Sequence, residues 1–227
     1  MALSNSTRSL RPYPATDETA GNTSAGANAG AAITSATNAT AIGTGALQAL
    51  TSADANTAVG KNALNANTNS NYCTAIGAFA LKTANTNGTI VPLDNTAVGY
   101  NAGNQVTIGQ NNTLIGSGVA GALVNGNSNV CVGYQAGLSV VSGDSNVFIG
   151  RSADASGSGN ASRKLSICIG RGAVSTVDGS LNIGGGGGTS TNMANLTTTS
   201  APTGATGNYL RIWLNNVEYR IPIQAAA

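Results

Sequence analysis

The sequence predicts an all-β protein, a β-solenoid rod of about nine rungs. Three observations predict it. A β-branched residue followed by glycine recurs along the chain, five of the eight steps between these glycines are 17 residues long, and small side chains dominate the composition. The 227 residues include 31 glycines, whereas charged residues make up 8% and aromatic residues 4%. Globular domains usually carry about 25% charged residues, so the composition argues against a conventional enzyme with one large core.

A short motif built around glycine forms the repeat. When the glycine is position zero, position −1 is always Val or Ile, and position −3 is Thr in the first five rungs and aliphatic afterwards. Position −4 is often Asn and position +3 is mostly Ala. β-Branched residues favour strands, so the residue at −1 is the predicted repeat core. These core residues are Ile42, Val59, Ile76, Val98, Ile115, Val132, Ile149, Ile169 and Ile183.

Each motif predicts one strand of a coil. Positions −3 and −1 share a face because strand side chains alternate, and position −2 faces the other way. Position −2 is small or apolar in every rung except the last, where it is Asn182. We therefore expect the strand to be buried on both faces, one inside the coil and the other against the same face of an identical chain. The 17-residue period predicts two short strands and two turns in each coil.

Two positions of the motif have expected structural roles. The glycine at zero is expected where a Cβ would obstruct the turn of the backbone. The Asn at −4 suits the preceding turn and is expected to form a ladder between rungs. Burial of one Val or Ile contributes only about 1.5–3 kcal/mol, whereas each ordered residue costs about 1–2 kcal/mol of backbone entropy. Stability is therefore expected to be a collective property of many rungs.

The chain divides into four predicted segments. Residues 1–36 are expected to form an extended arm that a partner orders, with a plain disordered tail as the alternative. Residues 37–188 are the solenoid rod, residues 189–207 a linker and residues 208–227 a C-terminal β-hairpin cap. Five consecutive glycines end the rod. They are interpreted as linker or tight packing, because a phosphate-binding loop would need a following helix and usually a lysine.

The last twenty residues differ in character from the rod. Runs rich in β-branched and aromatic residues, 208–214 and 217–223, flank Asn215-Asn216, and this pattern predicts a hairpin with a two-residue turn. An isolated hairpin is marginally stable in water, so we expect it to cap the solenoid or neighbouring copies. Its bulky and charged side chains are also candidate receptor contacts. These candidates are Tyr209, Arg211, Trp213, Tyr219 and Arg220.

No catalytic, cofactor or metal site is predicted. The chain has no histidine, and its eight acidic residues lie on separate rungs apart from the Asp17-Glu18 pair. The three cysteines, Cys73, Cys131 and Cys168, are far apart and are interpreted as reduced, small apolar fillers. No cluster of Lys and Arg is dense enough to bind nucleic acid, and no apolar run is long enough for a membrane-spanning helix.

The motif resembles repeats of known proteins. The stretches Asn56–Ala63 and Asn95–Ala102, both Asn-Thr-Ala-Val-Gly-x-x-Ala, look like repeats in bacteriophage fibre and spike proteins. They are also similar to the stacked β-roll repeats of trimeric autotransporter adhesin heads. The two terminal β-rich runs resemble hairpins that close phage fibre proteins. The repeat covers residues 38–184, and the sequence shows no leader, coiled-coil stalk or membrane barrel of an autotransporter, which favours the phage family.

The resemblance implies a homotrimeric structural and adhesive protein of a virion, made in the host cytoplasm. A tail fibre involved in host attachment is the preferred expectation, and a capsid (head) fibre or decoration protein is the alternative. Residues 1–36 would attach to another virion protein, and a host cell-surface glycan or protein would be the receptor. A glycan depolymerase and an ice-binding solenoid are lesser alternatives. The threonine ladder of the first rungs suits ice binding, but it turns aliphatic and is therefore interpreted as interior or interface.

Overall fold

The chain folds as a parallel β-solenoid with a 17-residue period, as the repeat predicts. The structure is a computed structural model that describes residues 20–84, 91–155 and 162–184, with the backbone alone at 91–92. It also describes the backbone of two strands at 209–214 and 217–222.

Ten three-residue strands form one parallel sheet, and their order in the sheet follows the chain. They are β1 (Thr23–Ala25), β2 (Thr40–Ile42), β3 (Thr57–Val59), β5 (Thr74–Ile76), β7 (Thr96–Val98), β8 (Thr113–Ile115), β9 (Val130–Val132), β10 (Val147–Ile149), β12 (Ile167–Ile169) and β14 (Leu181–Ile183). Two further parallel pairs are β4 (Ser70–Asn71) with β6 (Val91–Pro92) and β11 (Asp154–Ala155) with β13 (Val174–Ser175). Strands β15 (Tyr209–Leu214) and β16 (Val217–Pro222) pair antiparallel.

Equivalent repeat positions stack directly on one another in the large sheet. Thr40 pairs with Thr57, and Thr57 pairs with Thr74, so position −3 forms one file along the rod. The same register continues through every step up to β14, even where the spacing in sequence departs from 17 residues. With strands 4.7–4.9 Å apart, the nine steps give a sheet about 43 Å long.

The first rung lies inside the range predicted as an arm. Strand β1 pairs with β2, so the solenoid begins before residue 37, and residues 20–36 belong to it. The segment Asn22-Thr23-Ser24-Ala25-Gly26 has Asn at −4, Thr at −3 and Gly at zero, but Ala25 stands where the other rungs have Val or Ile. A motif defined by a β-branched residue therefore misses this rung.

The prediction of two strands in each coil is wrong for most coils. Among the described residues, only β11–β13 adds strands on the second side, at positions +4 and +5, and β4–β6 lies instead on the turn that precedes a strand. Elsewhere the second side turns through a left-handed residue at position +4, such as Leu47, Leu64 or Leu81, with φ between 45° and 48°. Its backbone still bonds from rung to rung, for example from Leu47 N–H to Ala63 O and from Leu64 N–H to Ala80 O. Left-handed residues interrupt an extended strand without interrupting the stacking of coils.

The core lies between position −2 of the strands and positions +3, +4 and +7 of the second side. The −2 side chains of β2 to β12 are at most 2% exposed. They are Ala41, Ala58, Ala75, Ala97, Leu114, Cys131, Phe148 and Cys168. The alanine or valine at +3 is equally buried, as are Leu47 and Leu50 of the first full coil. In the first coils the strand side holds alanine at −2, because leucines on the second side fill the interior.

The predicted repeat core at position −1 is wrong, since these side chains lie on the outside of the chain. Their isoleucines are 38–47% exposed and their valines are half-buried. The residues that were predicted as core and lie outside are Ile42, Val59, Ile76, Val98, Ile115, Val132, Ile149, Ile169 and Ile183. Alternation correctly puts −3 and −1 on one face, but the interior has room only for the side chain at −2. Within one chain the strand is therefore buried on one face, not on both.

Side chains facing each other inside the coil are matched in size. Large residues at −2 stand beside glycines at +4 of the preceding rung. A Cβ on Gly137 would lie 3.2 Å from Phe148 Cδ2 and 2.7 Å from Cys131 Sγ. Likewise, a Cβ on Gly103 would lie 2.5 Å from Leu114 Cδ1. Rungs that have Leu at +4 instead have Ala at −2, so the internal volume is shared between the two sides.

The glycine at position zero has the predicted role. Gly133 has φ of 135°, a conformation that L side chains rarely adopt. A Cβ added there would lie 2.6 Å from the carbonyl oxygen of Gly150 in the next rung. Close stacking of the coils therefore requires a residue without a Cβ at this turn.

The asparagines at −4 form the predicted ladder, buried inside the turn at 0–1% exposure. Asn112 Nδ2 donates to Asn95 Oδ1 (3.0 Å) and to Gly126 O (2.8 Å). Asn112 Oδ1 accepts from the backbone N–H of Asn129 (2.9 Å) and from Asn129 Nδ2 (3.0 Å). The ladder satisfies backbone groups that the turn leaves unpaired, and it continues to Asn146, whose Oδ1 accepts from Ser166 N–H.

Strands β15 and β16 belong to a separate compact unit of residues 193–227. Their register places Leu214 opposite Val217 and Tyr209 opposite Pro222. The predicted Asn215-Asn216 turn, the linker at 189–207 and residues 1–19 of the predicted arm lie outside the described residues.

Candidate functional site

The outer face of the large sheet is the candidate site, and it consists of the −3 and −1 side chains of the ten strands. Strand alternation brings these two files to the surface while −2 points inward. The most exposed aliphatic members are Leu181 (60%), Ile183 (47%) and Ile76 (41%). Successive strands are in register, so each file is continuous along the rod.

The chemistry of the outer face changes along the rod. From β1 to β8, position −3 is Thr, which pairs with the next Thr in the file. From β9 onward both files are aliphatic, beginning with Val130 and Val132. Neither file contains a charged residue in any of the ten strands. A sheet face that meets water usually alternates with polar residues and carries charges, so this composition suits contact with another apolar surface.

The size of the outer face fits a binding surface. The sheet is about 43 Å long, and positions −3 and −1 are about 6.6 Å apart along a strand. Including the width of the side chains, the face covers roughly 400 Å², and patches of this size on soluble proteins are often functional.

Carboxylates in the described part of the chain stabilise turns at several places. Asp54 Oδ1 accepts from the backbone N–H and the hydroxyl of Thr37, both at 2.8 Å. Asp144 lies 3.0 Å from Lys164 Nζ. Burial alone would raise the pKa of the Asp144 carboxyl, but the hydrogen bond and charge of Lys164 and the N–H of Asn127 bring that pKa below its ordinary value.

Asp154 has the opposite shift. Burial raises the pKa of the Asp154 carboxyl, although Ser139 N–H donates to both of its oxygens at 3.0–3.1 Å. Among the residues at 20–84, 91–155 and 162–184, no three His, Cys, Asp or Glu side chains come together as a group that could hold a metal ion.

The three cysteines are free and buried, which confirms their interpretation as core fillers. Desolvation raises the pKa of the Cys73 thiol to about 12 and that of Cys168 to about 11, and it also raises the pKa of Cys131. Thiols with such raised pKa values remain protonated near neutral pH and are poor nucleophiles.

The predicted receptor contacts on the hairpin are placed only as backbone positions. Tyr209, Arg211 and Trp213 lie on β15, and Tyr219 and Arg220 lie on β16. Arg211 is opposite Arg220 in the register. Their side chains lie outside the described residues, so these contacts stay predictions.

The outer face could have been found in the sequence. Position −2 grows from Ala to Leu and Phe where position +4 shrinks from Leu to Gly. Such compensation in size indicates that −2 and +4 share an interior, which leaves −1 outside.

Comparison with known proteins finds no match: no family model, no curated protein and no solved structure resembles the chain significantly. In the part of the chain that the structure describes, no helix is long and apolar enough to cross a bilayer.

Proposed function

We propose that the chain is a structural and adhesive fibre or spike protein of a bacteriophage virion, assembled as a homotrimer through the outer face. One observation supports this assignment most strongly: a face about 43 Å long, without any charge, is left uncovered by the residues that the structure describes. A tail fibre for host attachment is the preferred role, and a head fibre or decoration protein is the alternative.

An identical chain is the partner that fits this face best. A second rod has the same spacing between rungs, so its Val and Ile files meet the first over the full length of the sheet. Each rung then contributes a small apolar contact, and the contacts add along the rod. Association around a three-fold axis closes the assembly, because each chain buries its outer face at the axis and none remains free.

The proposed trimer is tested by placing a charge on the outer face. Ile115 is 40% exposed in the single chain, so Ile115→Lys is tolerated by the fold but places three ammonium groups at a shared axis. We expect this variant to sediment as a smaller species than the wild type. Asn125→Lys is the matched control, since Asn125 is exposed on a turn away from the outer face. Unchanged mass for both variants would contradict the proposal.

The proposed attachment of the fibre to the particle assigns a role to the N-terminal segment. Since residues 20–36 belong to the solenoid, deletion of residues 1–19 removes the remaining part of the predicted arm without removing a rung. We expect the truncated protein to remain folded by circular dichroism and to be lost from purified particles. Incorporation of the truncated protein at the wild-type level would exclude this role.

Ice binding is a second candidate, favoured by the outward direction of the threonine file. Six threonines from Thr23 to Thr113 stand on the outer face at a regular spacing of about 4.8 Å. This file and the trimer need the same surface, so the two functions exclude each other. Thermal hysteresis of the purified protein that Thr74→Lys abolishes would support ice binding. Absence of thermal hysteresis in the wild type would exclude ice binding and leave the fibre as the proposed function.

A further inference from the structure

A strip of aromatic and cationic side chains follows the turn just beyond the glycine at position zero. It lies at positions +1 and +2, next to the strand but not on the outer face. The strip consists of Lys61, Phe79, Tyr100, Tyr134, Arg151 and Arg171. From the rung of Lys61 to that of Arg171 there are six steps, or about 28–29 Å along the rod.

The two tyrosine rings of the strip are open to solvent, and the Phe79 ring beside them is half-buried. Tyr100 is 56% exposed and Tyr134 is 48% exposed. Phe79 meets Tyr100 edge to face with ring centroids 6.1 Å apart. Lys61 Nζ and Lys82 Nζ lie 5.7 and 5.8 Å from the centre of the Phe79 ring. These contacts fix rings and ammonium groups side by side on an exposed edge.

The second tyrosine of the strip also has a cation beside it. The Arg151 guanidinium lies 5.8 Å from the centre of the Tyr134 ring. One rung with Ser117 at position +1 separates this pair from Tyr100, so the two exposed phenols are two rungs, about 9–10 Å, apart.

The ion pairs of the coil lie on one of its two turns. In the described ranges the ion pairs are Arg163–Asp178 and Lys164–Asp144, both on the turn that precedes a strand. The other four cations form no ion pair there, and all four belong to the strip or reach over it. They are Lys61, Lys82, Arg151 and Arg171. The strip is therefore a line of cations that form no ion pair in these ranges, and the neighbouring Asp154 carboxylate instead accepts from Ser139 N–H.

We propose that this strip binds an acidic polysaccharide whose carboxylates are spaced along the chain, such as one on every second sugar. Exposed phenol rings offer an apolar face to the C–H groups of a sugar ring and a hydroxyl for hydrogen bonds. Lys and Arg pair with the carboxylates between the rings. The inference goes beyond the proposed function, because it concerns the side of the rod and applies to one chain as well as to an assembled fibre.

The density of charge on the strip favours a polysaccharide over nucleic acid. Four cations over about 28 Å give one every 7–9 Å, whereas each strand of duplex DNA carries a phosphate every 3.4 Å. The strip would leave more than half of those phosphates without a partner. A second copy of this chain is also less suitable, because Asp144 and Asp178 are already paired within their own chain.

Binding is tested with the full-length protein and hyaluronate, a polysaccharide with one carboxylate on each disaccharide. Neutral dextran is the comparison ligand, and calorimetry or affinity electrophoresis measures the dissociation constant. We expect saturable binding of hyaluronate, weakened by salt, and no binding of dextran. Absence of hyaluronate binding, or equal binding of dextran, would overturn the proposal.

Variants show whether the strip is the surface that binds. Tyr100→Ala with Tyr134→Ala should weaken the affinity about tenfold, and Lys61→Gln with Arg151→Gln should also reduce the dependence on salt. Lys164→Gln is the control, since Lys164 is a cation on the other turn, and it should change the affinity less than twofold.

Two results with these variants would refute the inference. One is equal loss of affinity in the control and the strip variants, which would indicate non-specific attraction. The other is a fall in the assembled mass of the tyrosine variant, which would make the strip a contact between copies. Sedimentation of the same samples measures that mass, so failure of the trimer proposal is observed separately from failure of polysaccharide binding.

Discussion

Removal of one asparagine from the buried ladder tests the account of the fold most quantitatively. In Asn112→Ala, the carbonyl of Gly126 loses its donor and the backbone N–H of Asn129 loses its acceptor. Both groups are inside the turn, and each unsatisfied buried group costs about 1–3 kcal/mol. The free energy of unfolding should therefore fall by about 2–6 kcal/mol.

Asn125→Ala is the matched control for this change. Asn125 is exposed and its neighbours in the turn keep their partners, so the expected change is within about 0.5 kcal/mol. Urea unfolding at one fixed chain concentration, followed by circular dichroism, compares the two variants. Equal stability of Asn112→Ala and the control would refute the reasoning that the ladder satisfies the backbone of the turn.

Three further changes have defined outcomes. Gly133→Ala should lower the melting temperature markedly because its Cβ meets the backbone of Gly150, whereas Ser117→Ala should not. The buried, protonated thiols should react with a thiol reagent only after denaturation; fast labelling of the native protein would contradict their burial. The lowered pKa of Asp144 contributes stability at neutral pH that is lost as the pH falls through that pKa. Lys164→Gln should therefore flatten the loss of stability on the acid side, measured by thermal unfolding between pH 6 and 2.

The repeat and its strands could be predicted because they depend on local chemistry. Glycine at zero and Asn at −4 meet needs of the turn itself, so both roles are visible in one rung and are confirmed in the stack. The motif does not detect the first rung, because Ala25 replaces the β-branched residue. This rung nevertheless forms a strand that pairs in register with β2. Hydrogen bonds between rungs decide that the segment of Ala25 forms a strand, and these bonds cannot be recognised from one segment of sequence.

The direction of the strand faces depends on packing between distant positions. Alternation groups −3 with −1, but it does not say which group is inside. The volume inside the coil decides which group is inside. Phe148 at −2 fits beside Gly137, whereas the wide side chains at −1 have no such space in the interior. The strip of Tyr100 and Tyr134 was missed for a related reason, since position +1 varies between rungs and only stacking brings its members together.

The mass of the full-length protein in solution tests the central claim, that the outer face joins identical chains. Sedimentation velocity at micromolar concentration measures it directly, with Ile115→Lys measured beside the wild type. We expect a single species at three times 22.2 kDa for the wild type and a smaller one for the variant. A wild-type protein that sediments as a monomer of 22.2 kDa would contradict it.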